Sequence, residues 1–135
     1  MTLTADRPIA TDFAAARRAM VDSQLRVSGV NEEWVLAAMG TTAREDFLPA
    51  AARGHAYIDR AIPLGDGHAL PAPLVQGRML TEAAPTAQDD VLVVSCGSDY
   101  LAALVRPLAR SVTVVSAADA AAGNVHSAYT LLLVD

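Results

Sequence analysis

Two short runs rich in valine, Val91–Val94 and Val112–Val115, constrain the fold of this chain most strongly. The first is wholly apolar, which is typical of a strand buried on both faces of a parallel sheet, and the second predicts another buried strand. Between them lie a glycine-containing turn and a helix-compatible segment, Tyr100–Ala109. The order strand, turn, helix, strand predicts a βαβ unit. Because Leu131–Val134 predicts a third strand, we expect a parallel α/β sheet in the second part of the chain.

Helix signals dominate the residues before the first predicted strand. Asp12 is placed to cap a helix with apolar residues along one face, and Gly29 is a suitable end for that helix. Asn31 is placed to cap a second helix, which Gly40 would end. Acidic residues follow Asn31, where the helix dipole favours them. The sequence therefore predicts two consecutive helices here.

Shorter elements are predicted between these helices and the sheet. A single turn of helix is expected over 44–47, before Pro49 ends it. Residues 57–73 are rich in Gly and Pro, which indicates an ordered loop with room for a short strand. A further helix is predicted over 74–84, and a stretch rich in alanine at 117–122 is expected to be helix or loop.

Length and composition fit one domain and exclude a membrane-spanning protein. With 135 residues, 53% of them hydrophobic, the chain is large and apolar enough to bury one core. We expect a single domain over 1–135, with a helical and loop portion at about 11–84 and an incomplete α/β core at about 85–135. The longest unbroken apolar runs, Trp34–Met39 and Tyr100–Val105, are six residues, far below the roughly 20 that cross a bilayer.

Charge and cysteine content narrow the partners further. The net charge is −5 and basic residues form no stripe, so nucleic acid is not expected as a partner. Cys96 is the only cysteine, and residues 1–10 lack the pattern of a secretory signal, which together predict a cytoplasmic protein. Cys96 and the three histidines are too scattered for a metal site, so no metal is expected. The histidines are His55, His68 and His126.

The carboxyl ends of the predicted strands are where a ligand would bind in an open parallel sheet. Residues Ser95–Tyr100, Ser116 and Asp135 lie at this edge. A nucleotide-like cofactor needs glycine for close backbone approach and an acid after the second strand for its ribose. The chain offers Gly97 in the turn and Ser116 after the second strand. On spacing alone, both a nucleotide site and an ordinary βα turn are compatible with these residues.

The order of several segments carries more information than their spacing. The segments are RAMVDSQL at 18–25, VLAAM at 35–39, AREDFLP at 43–49, AYID at 56–59, PLGDG at 63–67, Pro73, VLVV at 91–94 and GSDY at 97–100. In this order they resemble the protein-L-isoaspartate O-methyltransferase family, whose members use S-adenosylmethionine. The resemblance covers roughly residues 18–115.

This resemblance implies a fold, a reaction and a set of site residues. The fold would be α/β, with N-terminal helices followed by a truncated Rossmann-like parallel sheet of the S-adenosylmethionine-dependent methyltransferase type. The reaction would be methyl transfer from S-adenosylmethionine to isoaspartyl carboxylates of damaged proteins. The implied cofactor-binding residues are Ser95, Gly97, Ser98, Asp99, Tyr100 and Ser116. The implied active-site loop contains Gly65, Asp66, Gly67 and His68, and the family's active-site serine falls on Pro71.

The chain departs from the family pattern at several of these positions. The family's cofactor turn resembles Glu-x-Gly-x-Gly-x-Gly-Tyr, where this chain has Val93, Ser95, Gly97 and Asp99 before its tyrosine. The family's ribose-binding acid falls on Ser116. Residues 116–128 are also too few for the helix, strand and turn that the family places there. A shortened sheet is therefore expected.

An alternative from a different class is a non-catalytic family member that binds a partner or associates with itself. The exposed edge strand near Leu131–Val134 would favour homo-oligomers, because an unpaired strand edge pairs readily with another chain. Single residues have structural interpretations too. These are a turn-stabilising Asp66, a surface-loop His68, a packed Cys96, a core Tyr100, a packing anchor at Trp34, and a solvated helix face at Arg17 and Arg18.

Overall fold

The structure, a computed structural model, describes residues 12–123 and 128–135. Helix α1 spans Phe13–Met20, and the carboxylate of Asp12 caps it by accepting a hydrogen bond from the backbone N–H of Ala15 at 3.0 Å. The chain continues through a π-helical turn and a 3₁₀ turn to Gly29, which has φ +96°. The predicted cap and end of the first helical segment are both confirmed. The predicted start of this portion at residue 11, and His126, lie outside the described residues.

The second helix begins later than its sequence indicates. Helix α2 spans Glu33–Thr41 and begins after Glu32, whose carbonyl accepts hydrogen bonds from the N–H groups of residues 35 and 36. The prediction of Asn31 as the cap is therefore wrong. The side chain of Val30 is buried and its N–H bonds to the carbonyl of Leu25, so the preceding chain is held by packing before the helix begins.

Two 3₁₀ turns and a hairpin connect α2 to the next helix. The turn over Arg44–Phe47 is confirmed, and a second one over Ala50–His55 was not predicted. Strands β1 (Ile62–Gly65) and β2 (His68–Leu70) then pair in antiparallel fashion. Positive φ angles at both residues between them, 53° and 79°, fit a tight hairpin turn. The predicted loop is thus largely a β-hairpin.

Helix α3, Pro73–Ala83, leads into the predicted sheet. Strands β3 (Asp90–Ser95), β4 (Ser111–Ser116) and β5 (Leu131–Val134) form one sheet in the order β4-β3-β5. Both pairings are parallel. The order places β3 at the centre, with successive strands added on opposite sides. The α/β fold with a truncated Rossmann-like sheet is therefore confirmed.

Two helices follow the first two of these strands. Helix α4 spans Tyr100–Val105, shorter than the predicted Tyr100–Ala109. Pro107 has no N–H to continue the helix, and the chain closes instead through a hydrogen bond from the N–H of Ala109 to the carbonyl of Val105. Helix α5 spans Ala117–Ala121, within the alanine-rich stretch.

One apolar core joins the helical portion to the sheet. The fully buried side chains include Met20 and Leu25 from the N-terminal helices, Leu80 from α3 and Leu101 from α4. They pack together with the central strand, so the hairpin and helices are fixed relative to β3. None of the helices within residues 12–123 and 128–135 combines the length and apolar character that a bilayer crossing requires.

Candidate functional site

A cavity of about 310 Å³ lies at the carboxyl ends of β3 and β4. Its polar lining comes from three places: the turn after β3, the start of α5, and the β1–β2 hairpin. Two apolar residues at the end of β4 and two alanines of α5 complete much of the wall. The lining includes His68, Ser95, Gly97, Val114, Ser116 and Ala118. The fold therefore brings one predicted active-site loop residue, His68, together with three predicted cofactor-binding residues.

The turn after β3 opens on this cavity at Gly97. This residue has φ +107°, a conformation that side chains rarely adopt. The hydroxyl of Ser95 accepts a hydrogen bond from the N–H of Gly97 at 2.9 Å and donates to the carbonyl of Ser98 at 3.2 Å. These two hydrogen bonds stabilise the turn. The space where a Cβ atom of Gly97 would lie is bordered by the side chains of His68 and Leu64 from the hairpin.

Ser98 and Tyr100 face away from the cavity into the core. The hydroxyl of Ser98 donates to the carbonyl of Phe47 at 3.1 Å and accepts from the N–H of Tyr100 at 3.2 Å. Tyr100 is fully buried and packs edge-on against Phe47, with 5.7 Å between ring centres. The structural interpretation of Tyr100 as a core residue agrees with this position, and Tyr100 does not line the cavity described above.

Ser116 combines a structural contact with spare hydrogen-bonding capacity. Its hydroxyl oxygen accepts the N–H of Asp119 at 3.0 Å and so caps α5. A serine hydroxyl has one donor and two acceptor positions, so its proton and one lone pair remain for a ligand in the cavity. Asp99 and Asp66 are both exposed: the first precedes α4 and the second lies in the hairpin turn.

A buried arginine that the sequence interpretation missed lies beneath the hairpin. Arg44 is fully buried, and its guanidinium donates to the carbonyls of Ala56 at 2.6 Å and Pro71 at 2.8 Å. It also donates to Oε1 of Gln76 at 2.6 Å, and Gln76 in turn donates to Asp135 at 2.9 Å. The only sequence signal for Arg44 was its place in the 43–49 segment, since charge alone predicts an exposed side chain.

Burial changes the pKa of the ionisable groups in this region. Burial lowers the pKa of Arg44, and burial raises that of Asp135 against the opposing effect of the hydrogen bond from Gln76. Burial, followed by the charge of Asp135, raises the pKa of the Cys96 thiol to about 11. The thiol donates to Oδ2 of Asp135 at 3.3 Å. Cys96 is accordingly a packed, protonated side chain at this edge.

A second polar cluster joins α1 to the first 3₁₀ turn. Arg17 donates to the hydroxyl of Tyr57 at 2.8 Å and to the carboxylate of Glu45 at 3.1 Å. The Tyr57 hydroxyl also donates to Glu45. Arg17 is therefore largely buried, and its expected solvated position is wrong, whereas Arg18 is exposed. Across the described residues, His, Cys, Asp and Glu side chains form no group of three or more that could hold a metal ion.

Comparison with known proteins decides the family. The sequence model of the protein-L-isoaspartate(D-aspartate) O-methyltransferase family matches residues 15–129. The chain belongs to this family. It is 37% identical over 115 residues to a protein-L-isoaspartate O-methyltransferase of Roseiflexus castenholzii, covering 84% of this chain and 51% of that protein. It is 41% identical over 105 residues to the Koribacter versatilis protein of the same name, covering 78% and 47% respectively.

A third relative covers more of the chain. Protein-L-isoaspartate O-methyltransferase 1 of Rhodopseudomonas palustris is 36% identical over 123 residues, which are 91% of this chain and 50% of that protein. The chain thus spans about half the length of the curated relatives it matches. The part shared with the isoaspartyl methyltransferase family is the part that contains the hairpin, the turn after β3 and the cavity.

The family implies S-adenosylmethionine as methyl donor, and the residues at the cavity are compatible with it. The volume lies at the lower end of the range for small-molecule sites, roughly 300–1,000 Å³. Gly97 presents its backbone at the cavity, where the side chain of His68 lies against it, and Ser116 retains hydrogen-bonding capacity at the family's ribose-binding position. A hydroxyl stands there in place of a carboxylate. Hydrogen bonds to a charged acceptor are roughly twice as strong as those to a neutral one, so a hydroxyl at this position would hold a ribose less strongly than a carboxylate.

Proposed function

We propose that this chain acts in methyl transfer from S-adenosylmethionine to isoaspartyl carboxylates of damaged proteins or peptides. The observation that supports this function is the position of the β1–β2 hairpin, whose His68 borders the same cavity as Gly97 and Ser116. The loop that the family uses for its acceptor thereby lies beside the turn that the family uses for its donor. A cytoplasmic location, expected from the single cysteine, belongs to the same proposal.

This reaction depends more on the orientation of its two reactants than on acid–base catalysis. S-adenosylmethionine supplies a methyl group on a sulfonium, and the acceptor carboxylate attacks that carbon. A free carboxylate has a pKa near 4, so the acceptor is already ionised at neutral pH. Holding two reactants in line can contribute most of the rate acceleration of such a displacement. No general base is therefore required for this step.

Three residues have distinct parts in this proposal. Gly97 borders the donor with backbone atoms of the turn, beside the side chain of His68. The Ser116 hydroxyl hydrogen-bonds a ribose hydroxyl of the donor. His68 lines the side of the cavity that faces the hairpin and orients the acceptor next to it. Pro71 replaces the family's hydroxyl and offers only its carbonyl, which already accepts from Arg44, so orientation of the acceptor is expected to be weaker than in the family.

Replacement of Ser116 gives a sharp test. Ser116→Asp restores an acid at the family's ribose-binding position and keeps a residue type that caps helices well. We expect it to tighten binding of S-adenosylmethionine, measured by calorimetry, by about tenfold, or about 1.4 kcal/mol. Ala121→Asp is the matched control, because it adds the same charge to an exposed part of α5 that does not line the cavity.

The assay itself compares two peptides. Transfer of a labelled methyl group to an isoaspartyl peptide should exceed transfer to its normal aspartyl twin, and Ser116→Asp should raise the rate at low donor concentration. If Ser116→Asp and Ala121→Asp change donor affinity and transfer rate equally, the gain comes from the added negative charge and not from its position at the cavity. Absence of binding at millimolar donor in both the wild type and Ser116→Asp would refute the proposal.

A second candidate function is a non-catalytic binding or self-association module. Leu132 and Val134 in β5 are 57% and 58% exposed, and within the described residues β5 pairs with β3 alone. An open apolar strand edge favours pairing with a second copy of the chain. Light scattering across micromolar concentrations tests this. A dimer that Leu132→Lys converts to monomer would support the module, and a monomeric wild type would exclude self-association through β5.

A further inference from the structure

One buried guanidinium holds both ends of the loop that carries the hairpin. Arg44 donates through Nε to the carbonyl of Ala56 and through a terminal nitrogen to the carbonyl of Pro71. Residues 57–70, including all of β1 and β2, lie between these two carbonyls. The two bonds therefore fix where the hairpin leaves and rejoins the body of the protein. His68, at the start of β2, is positioned by the same hairpin.

The same side chain contacts the other two elements at the carboxyl edge of the sheet. The guanidinium carbon lies 4.8 Å from the ring centre of Tyr100, the first residue of α4 after the turn. Its other terminal nitrogen donates to Gln76 at the start of α3, and Gln76 donates to Asp135 beyond the end of β5. Arg44 thus connects the hairpin, the turn after β3 and the end of β5.

The way in which this cation is buried argues for a geometric role. Among the described residues no carboxylate oxygen lies within 4.0 Å of Arg44, so its contacts are carbonyls, an amide and an aromatic face. A buried cation without a direct ion pair is an expensive way to gain stability. Its planar fork, however, presents several donors in fixed directions, which a lysine cannot reproduce.

We propose that Arg44 is a positioning residue, which sets the hairpin against the turn after β3 and so fixes the shape of the cavity. Arg44 touches neither reactant; it acts through Pro71, Ala56 and Tyr100. This inference rests on the proposed function in one respect only, namely that the cavity holds the methyl donor. The geometric part, the attachment of the hairpin by Arg44, is independent of any ligand.

Hydrogen exchange tests the geometric part without a ligand. Arg44→Lys keeps the positive charge but cannot donate to both carbonyls and Gln76 at once. We expect amides within residues 62–70 to exchange at least tenfold faster than in the wild type, while those of 91–94 keep their protection. Arg53→Lys is the matched control: Arg53 belongs to the neighbouring 3₁₀ turn, and its bonds go to the carbonyl of Glu45 and to Asp46. It should leave both segments unchanged.

Ligand binding tests the functional part. The demethylated product, S-adenosylhomocysteine, should bind Arg44→Lys at least tenfold more weakly than the wild type and Arg53→Lys with unchanged affinity. If Arg44→Lys does not fold, Gln76→Leu decides, because it removes the amide oxygen that orients the guanidinium towards the two loop carbonyls, together with the link to Asp135. It should accelerate exchange in 62–70 by a smaller factor.

The outcomes separate this inference from the proposed function. Unchanged exchange in 62–70, in folded Arg44→Lys or otherwise in Gln76→Leu, would overturn the role of Arg44. Faster exchange together with unchanged product affinity would overturn its role in shaping the cavity. Failure of the wild type to bind the product, with faster hairpin exchange in the variant, would refute the proposed function while the attachment by Arg44 stands.

Discussion

The side chain of His68 lies directly over Gly97, so that a Cβ atom at Gly97 would be 3.5 Å from both Cβ and Cγ of the histidine. This distance is ordinary van der Waals contact, and space alone would permit a methyl group there. The backbone does not permit it as easily, because Gly97 has φ +107°. The contact joins the hairpin to the turn after β3 and defines one side of the cavity.

Gly97→Ala should therefore destabilise the protein through its backbone conformation. We expect the free energy of unfolding to fall by about 1–2 kcal/mol, the usual cost of a left-handed conformation for a residue with a Cβ. Denaturant unfolding measures the change. Gly54→Ala is the control, since no atom lies within 4 Å of the position of its added Cβ and its φ is not positive. Equal losses in the two variants would contradict this explanation.

Tyr57→Phe should weaken the cluster between α1 and the first 3₁₀ turn. The hydroxyl donates to Glu45 and accepts from Arg17 and from the backbone N–H of Arg44. Its removal leaves buried donors and a buried carboxylate with fewer partners, which costs about 1–3 kcal/mol. Thermal or denaturant unfolding measures the loss. Tyr129→Phe, whose hydroxyl forms no hydrogen bond to the described residues, should change stability by less than about 0.5 kcal/mol.

The elements that the sequence predicted well are those whose signals are local. Val91–Val94 and Val112–Val115 both form strands, and the continuous apolar run lies in the buried central strand β3. The prediction that the second strand is also buried on both faces is wrong, because β4 lies at an edge of the sheet, with its valines half-buried and Thr113 exposed. The parallel pairing of the two strands follows from the helix between them. Because parallel strands end at one edge, the predicted cofactor residues Ser95, Gly97 and Ser116 do border one cavity. The cap at Asp12 is equally local, because its carboxylate accepts a hydrogen bond from the N–H of Ala15, three residues further on.

The missed features depend on contacts between distant residues. Arg44 looks like a surface residue in sequence, and only the carbonyls of Ala56 and Pro71 make its burial tolerable. Arg17 also looks like a surface residue in sequence, and its hydrogen bonds to Glu45 and Tyr57 hold it in a largely buried position. Tertiary packing likewise determines which residue of the turn faces the core, and this cannot be predicted from the pattern alone.

The start of the sheet should lose stability in acid. Hydrogen bonds from Arg110, and then from Ser111, lower the pKa of Asp90 to about 2. Since the pKa is lower in the folded state than in the unfolded chain, the stabilising effect is complete above pH 4 and is lost as pH falls from about 4 towards 2. Asp90→Asn should therefore have a lower melting temperature at pH 7 and a smaller further decrease between pH 4 and pH 2. Asp22→Asn, which alters an exposed helical ion pair, is the control. An unchanged acid profile in Asp90→Asn would contradict the assignment.

Cys96 should be nearly inert to alkylation in the folded protein. Burial and the nearby Asp135 carboxylate raise the pKa of its thiol to about 11, whereas an ordinary thiol has a pKa near 8.5. At pH 8 the reactive thiolate is thus roughly 200-fold scarcer than for an exposed cysteine. Because ionisation is disfavoured in the folded state, the contribution of Cys96 to stability is full below pH 9 and is lost as pH rises towards 11.

Iodoacetamide labelling at pH 8 measures this reactivity. The matched control is Val75→Cys in a Cys96→Ala background, because Val75 is exposed on α3. The control thiol should react at least 100-fold faster than Cys96 in the wild type, and the two should react at similar rates in urea. Asp135→Asn removes the neighbouring charge but leaves the thiol buried, so it should speed labelling of Cys96 only in part. Labelling of folded wild-type Cys96 as fast as the control would mean that the carboxyl end of β3 is open to solvent, because a thiol packed against Asp135 cannot ionise and be attacked at that rate.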